Sequence, residues 1–221
     1  MSEILQGAEP GSQSSIEWLM ERCGKVTASR FKDVIVTLKS GKPGAEREKY
    51  LWETVIERLT GKPKEHFTND AMAWGTEQEV FARIDYEART GAFGTETGFI
   101  EHPTIDLCGG SPDGLVDDDG GIEIKCPWNS AIHLATWLNG MPEEHMAQVQ
   151  GLMWITGRQW WDFVSYDPRL QDAGLSLYIQ RIPRDEEFIQ AMSEKIVGFQ
   201  VDADALLSEL RKAALTQGAQ I

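Results

Sequence analysis

Asp113, in Ser111-Pro112-Asp113-Gly114, is followed closely by Glu123 and Lys125, in Gly121-Ile122-Glu123-Ile124-Lys125. Two carboxylates and an amine around a short turn can bind a cation and work on a phosphate. In Ile122-Glu123-Ile124-Lys125 the apolar and charged residues alternate, as on a strand with one face in the core. Glu123 and Lys125 then point the same way, roughly 7 Å apart at about 3.3 Å per residue. Asp117-Asp118-Asp119-Gly120-Gly121 reads as a hairpin turn that returns the chain beside Asp113. Carboxylates so placed repel unless a cation joins them, and oxygen ligands suit a hard ion, Mg²⁺ or Mn²⁺. Such an ion polarises a phosphate oxygen and acidifies bound water, while Lys125 orients that water or neutralises charge. The pattern points to phosphodiester hydrolysis. An exposed acidic hairpin with a solvated Glu-x-Lys pair would read the same way, but Pro112 and the flanking Leu115, Val116, Ile122 and Ile124 favour a buried, fixed site.

Positioning these groups requires a fold, and 221 residues with 41% hydrophobic content suit one α/β domain with a substantial core. Residues 1–14 are small, polar and contain Gly and Pro, so they read as a loose arm ahead of a single domain over 15–221. No apolar run approaches the ~18–20 residues of a membrane span. The N-terminus shows no basic start followed by an apolar stretch, so no secretory signal is expected. Cys23, Cys108 and Cys126 form neither a C-x-x-C pair nor a disulfide framework. A cytoplasmic protein with reduced cysteines is the expectation. The net charge of −14 argues against a simple nucleic-acid binder, which would carry a basic footprint. A groove that gathers the positive charge would reconcile the two.

Periodicity places a helix start at Ile16–Arg22. A helix capped by Thr27 or Ser29 follows, with Phe31, Val34, Ile35 and Leu38 as its stripe. A loop over Ser40–Gly44 leads to a helix over Glu46–Thr60, stopped by Gly61 and Pro63. Another spans Thr76–Thr90, its inner face given by Val80, Phe81, Ile84 and Ala88. Strands are expected at Thr97–His102, Ile105–Cys108, Leu115–Val116, Gly121–Lys125, Trp160–Tyr166 and Leu175–Ile182. Helices are expected over Ala131–Leu138, Glu143–Thr156 and Glu186–Thr216, the last interrupted near Gly198. This order gives a mixed central sheet flanked by helices.

Three further sets could join the site. Glu79, in Gly75-x-x-x-Glu79, reads as a carboxylate near a helix start, where the dipole alone would explain it. Gln148 and Gln150 interrupt an apolar helix. Solvent exposure is their default, but an amide facing inward could contact water or phosphate. Arg22, Thr27 and Ser29 offer one cation and two hydroxyls, the donors a phosphate needs, although an ordinary helix cap would use the same hydroxyls. His66, His102, His133 and His145 show no ligand spacing and read as structural or exposed. The tryptophans read as core or interface, or as stacking surfaces for unpaired bases.

In order and spacing, Val26-Thr27-Ala28-Ser29, Ala73-Trp74-Gly75 with Glu79, Ser111-Pro112-Asp113-Gly114-Leu115, Glu123-Ile124-Lys125-Cys126-Pro127, Met146-Ala147-Gln148-Val149-Gln150 and Tyr166-Asp167-Pro168-Arg169 resemble the phage lambda exonuclease family, the YqaJ-like viral recombinases, within the PD-(D/E)XK nucleases. The resemblance runs from about Trp18 into the C-terminal helix. It implies a restriction-endonuclease-like nuclease core. It makes Asp113, Glu123 and the carbonyl of Ile124 the metal ligands. Lys125 becomes the catalytic lysine, with Glu79 and Gln148 as further active-site groups. Arg22, Ser29 and Ser111 become a 5′-phosphate pocket. It further implies 5′-to-3′ degradation of one strand of duplex DNA, a homotrimeric ring, and a single-strand annealing protein as partner. Asp70 departs from the pattern, standing where a basic residue near the DNA path is expected, and Leu152 stands where the wider class often has tyrosine.

The leading expectation is therefore a Mg²⁺-dependent 5′-to-3′ exonuclease acting on double-stranded DNA ends. An endonuclease of the same class is the alternative within that chemistry. A non-catalytic acidic DNA mimic or scaffold is the alternative outside it, motivated by the net charge.

Overall fold

The computed structural model describes residues 15–38, 41–64 and 69–218. The expected arm over 1–14, Ser40 and His66 lie outside them. In chain order the elements are α1 (Ile16–Arg22), β1 (Val26–Thr27), α2 (Phe31–Ile35), α3 (Ala45–Thr60), α4 (Asp70–Thr90), β2 (Gly94–Thr95), β3 (Ile100–Glu101), β4 (Cys108–Gly110), β5 (Gly114–Val116) and β6 (Gly120–Lys125), then α5 (Ser130–Asn139), α6 (Met146–Thr156), β7 (Trp160–Tyr166), β8 (Leu177–Pro183) and α7 (Glu186–Thr216).

Five strands form one mixed sheet in the order β2-β5-β6-β7-β8. Only β6 and β7 run parallel; the other pairings are antiparallel. Parallel neighbours need a crossover of a dozen or more residues, and the segment carrying α5 and α6 supplies it. A small second sheet, β1-β4-β3, pairs β1 with β4 in parallel.

Alternation along β6 and β7 divides the core in two. Ile122, Ile124, Val164 and Tyr166 pack with Ala82 and Tyr86 of α4. Trp161 and Phe163 point the other way, into a cluster with Val149 and Leu152 of α6 and Ile196 and Phe199 of α7. Each such fully buried side chain contributes on the order of 1.5–3 kcal/mol. Gly151 lets α6 approach closely, because a Cβ there would lie 2.5 Å from the Phe31 ring.

Several expectations change. The fourth helix starts at Asp70, where Asn69 accepts a hydrogen bond from Met72 N at 2.9 Å. Glu79 therefore lies well inside a helix and not at its start. The stripe Val80, Phe81, Ile84 and Ala88 faces outward, while Gln78, Ala82 and Tyr86 face the sheet. Neither Thr27 nor Ser29 caps a helix by its side chain. Ala28–Arg30 is a 3₁₀ turn, and α2 ends before Leu38, which is exposed.

The strand expected over Thr97–His102 shrinks to Ile100–Glu101, and the next starts at Cys108. His102 Nδ1 accepts hydrogen bonds from the Thr104 and Ile105 amides and closes a turn between them. Residues Glu143–His145 are 3₁₀, whereas α7 runs unbroken through Gly198. Gln150 is buried: its amide donates to Pro183 O and accepts from Asp185 N, both at 2.9 Å, joining α6 to the start of α7.

Candidate active site

The β5–β6 register, Gly114↔Ile122, continued by one residue sets Asp113 opposite Glu123. Asp113 Oδ2 accepts the Ile124 amide at 2.6 Å, which pins that carboxylate to β6. Asp113 and Glu123 are 8% and 1% exposed, so this end of the hairpin is buried while its turn, residues 117–119, is exposed. Glu123 Oε1 accepts from Lys125 Nζ and, at 2.5 Å, from Gln148 Nε2 of α6. Gln148 thus faces the site and not bulk solvent. Glu123 Oε2 is buried with no hydrogen-bond partner among the described residues.

An open cleft of about 230 Å³ collects these groups. Its walls include Glu79, Asp113, Glu123, Ile124, Lys125 and Gln148 at one part and Trp18, Arg22, Ser29 and Ser111 at another. Nine residues named from the sequence therefore line one cavity, whereas Gln150 turns away to Pro183 and Asp185. Thr27 is not among its lining residues, and its hydroxyl lies 3.3 Å from that of Ser29.

The electrostatics are those of crowded acids. Burial first, and then the Asp113 charge, raise both the Glu123 and the Glu79 carboxyls above their ordinary values. Burial opposes the Lys125 charge, but Glu123, Asp113 and Glu79 outweigh it and raise the ammonium pKa. Arg83 lies 3.5 Å from Glu79 and 3.3 Å from Glu96.

Among the described residues, no three His, Cys, Asp or Glu side chains form a metal cage by themselves. Asp113, Glu123 and Ile124 nevertheless line the same cavity, and two carboxylates with a backbone carbonyl would be an all-oxygen donor set suited to a hard divalent ion retaining waters. An unpartnered buried carboxylate oxygen costs free energy that a cation would relieve.

Arg22 occupies the other part of the cleft. Its NH1 donates to Ser111 Oγ and its NH2 to Ser29 Oγ, both at 3.1 Å. The guanidinium lies over Trp18, 4.2 Å from the ring centroid, and Trp18 Nε1 donates to Ser111 Oγ at 3.0 Å. Burial lowers the Arg22 pKa to about 10, which leaves it charged at neutral pH. Its side-chain partners are hydroxyls, and no carboxylate among the described residues lies within 4 Å of its nitrogens. Arg30, by contrast, is shared between Asp33 and Glu53. A cation held by hydroxyls and an aromatic face, with no carboxylate paired to it, has the donors to receive an anion such as phosphate. Trp18 was not singled out from sequence, although its place four residues before Arg22 on α1 put the two side by side.

Residues 17–159 match the YqaJ-like viral recombinase domain. Among solved structures the chain is similar to the alkaline exonuclease LHK-Exo from Laribacter hongkongensis. The two share 44% identity with a TM-score of 0.83, over 91% of this chain and 98% of that one. LHK-Exo in complex with dAMP gives 43% and 0.84 over the same shares. A phage related exonuclease from Haemophilus somnus 129PT, at 22% identity and a TM-score of 0.65, covers 84% of this chain and 96% of its own, a likeness of fold. The Escherichia coli K12 protein ExoD is 36% identical over 66 residues, which are 30% of this chain and 74% of that protein.

Proposed function

Because the chain belongs to the YqaJ-like viral recombinase domain family, we propose that it is a Mg²⁺-dependent 5′-to-3′ exonuclease that removes mononucleotides from one strand of linear double-stranded DNA. The product would be a 3′ overhang for a single-strand annealing partner. The mixed sheet flanked by helices is a restriction-endonuclease-like core, and the chain is an enzyme of the nuclease class. The dAMP bound to the similar LHK-Exo supports a nucleoside monophosphate product.

One observation carries the reading. The same cleft holds a carboxylate pair with an unsatisfied oxygen and a guanidinium whose side-chain partners are hydroxyls. The first fits a cation and the second a terminal phosphate. Asp113, Glu123 and the Ile124 carbonyl would hold Mg²⁺, with Mn²⁺ able to substitute. When bound, the ion would polarise the scissile phosphate and acidify water. Gln148 fixes the Glu123 carboxylate through its amide, and Lys125 donates toward the developing charge and orients the attacking water. Glu79 adds a third carboxylate to the same wall. Arg22, Ser29 and Ser111 take the 5′-phosphate and set which bond lies over the carboxylates.

A ring of three copies fits the distribution of apolar surface. Val80, Phe81 and Ile84 on the outside of α4 are each more than half exposed, as are Ile132 and Leu138 on α5. A closed ring uses two different patches that meet head to tail, and α4 and α5 provide two. No helix among the described residues is long and apolar enough to cross a membrane.

The test compares linear duplexes with 5′-phosphate and 5′-hydroxyl ends, with a covalently closed circle alongside. The phosphorylated end should be degraded faster, by about tenfold or more for a lost charge-assisted contact, and the circle left intact. Equal rates on the two linear substrates would remove the phosphate pocket; cutting of the circle would make the enzyme an endonuclease.

A further inference from the structure

Two segments singled out in the sequence, Ala73-Trp74-Gly75 and Tyr166-Asp167-Pro168-Arg169, find no role in the cleft, yet the fold brings them together. Arg169 lies over the Trp74 ring at 4.6 Å, and Trp128 meets Trp74 edge-on with 5.6 Å between centroids. Trp74 lies on the inner stripe of α4, one turn before Gln78, and there meets Trp128 and Arg169. Trp128 is 53% exposed.

The backbone that carries this ring is held in place. Arg169 donates to the carbonyls of Pro127 and Trp128 at 3.3 and 3.0 Å, clamping the backbone that leaves β6. Asp167, fully buried, holds the same guanidinium through Nε at 2.7 Å and NH2 at 2.9 Å. Asp167 balances the charge of Arg169, so the ledge offers aromatic surface and not a phosphate contact. Trp128 lies outside the lining of the cleft but three residues after Lys125, within about 11 Å of it along the chain. Trp74 lies about 7.5 Å along α4 from Glu79.

A half-exposed indole on a clamped backbone, braced by a second indole beside the cleft, has the properties of a base-stacking platform. We propose that Trp128, backed by Trp74 and Arg169, stacks on an unpaired nucleobase of the strand being cut, next to the scissile phosphate. The inference rests on the nuclease reading above. Stacking on an aromatic face tolerates any base, as an enzyme that works along a strand of arbitrary sequence requires.

The experiment uses DNA ends carrying 2-aminopurine at successive positions from the 5′ terminus, with the full-length protein in EDTA to prevent turnover. Wild type should quench one position. Trp128→Ala should abolish that quenching and weaken binding of a frayed end by about tenfold, within the range of one lost stacking contact. Trp128→Phe should keep most of both. An abasic nucleotide at the quenched position should make wild type and Trp128→Ala bind equally. Unchanged quenching and affinity in Trp128→Ala would overturn the proposal. So would a changed oligomeric state with quenching intact, which would make the ledge a contact between copies. Degradation of a fully paired duplex by wild type with Mg²⁺ is measured alongside. Its absence would sink the nuclease reading, whereas turnover with an indifferent Trp128→Ala would sink the platform alone.

Discussion

Asp162 and Glu123 stand on the adjacent parallel strands β7 and β6, both almost fully buried, on opposite faces of the sheet. Asp162 is closed. Arg181 donates to both of its oxygens at 2.8 Å, and the Tyr86 hydroxyl adds a third bond at 2.9 Å. Glu123 is half open: Lys125 and Gln148 crowd one oxygen and leave the other bare. The pair shows what separates a structural carboxylate from a chemical one. Burial and a nearby cation are common to both, and the difference is whether every lone pair already has an owner. Asp162 ties α4 to β7 and β8, whereas Glu123 keeps a lone pair for something the protein does not supply.

The comparison can be broken first at Lys125. Lys125→Ala should lower the rate of DNA degradation by about 10²–10³, the scale for one lost electrostatic donor, while a gel-shift assay shows binding retained. Digestion at the wild-type rate would strip Lys125 of its role and make the open carboxylate an accident. The next test sets the two acids side by side in urea denaturation. Asp162→Ala should cost about 3 kcal/mol, because three bonds to a charged group vanish with Arg181 still half in water. Glu123→Gln should move stability by less than about 1 kcal/mol, since it also removes the repulsion from Asp113. Calorimetry should show that variant unable to take up Mn²⁺. Equal losses from both substitutions would erase the distinction.

The smallest effect sharpens the picture of the open side. His145 packs on Phe163, and burial, then the Lys125 charge, lower its pKa to about 4. An unfolded histidine titrates near about 6.5. The unfolded chain therefore binds the proton first as pH falls, and stability from this group is complete above pH ~6.5 and lost toward pH ~4. Lys125→Met should raise the His145 pKa, read by NMR titration of its ring protons. A histidine that does not respond would mean that no charge sits at Lys125.

The chemistry was more legible in the sequence than the surface was. The strand period placed Glu123 and Lys125 on one face, and the turn after Val116 set Asp113 beside them, because a hairpin encodes its pairing within a few residues. Arg22 and Ser29 stood out as phosphate donors and Gln148 as a break in an apolar helix, but only the family resemblance joined them, with Ser111, to the carboxylates. The outer stripe of α4 misled because Val80, Phe81 and Ile84 have the spacing of a core face. Periodicity reveals that a face is apolar without revealing what it meets. Gln150 misled in the opposite direction, since its two backbone partners are the last residue of β8 and the cap of α7. The turn around His102 was hidden because a ring nitrogen, and not a glycine, closes it.

Arg22 keeps a guanidinium with no described carboxylate within 4 Å in a chain of net charge −14, and this has a kinetic consequence. Its attraction fades within a Debye length, about 8 Å at physiological ionic strength, whereas a polyanion arriving from farther out meets an acidic molecule. Modest added salt should therefore hasten arrival before it loosens the grip, the reverse of what a basic groove would show.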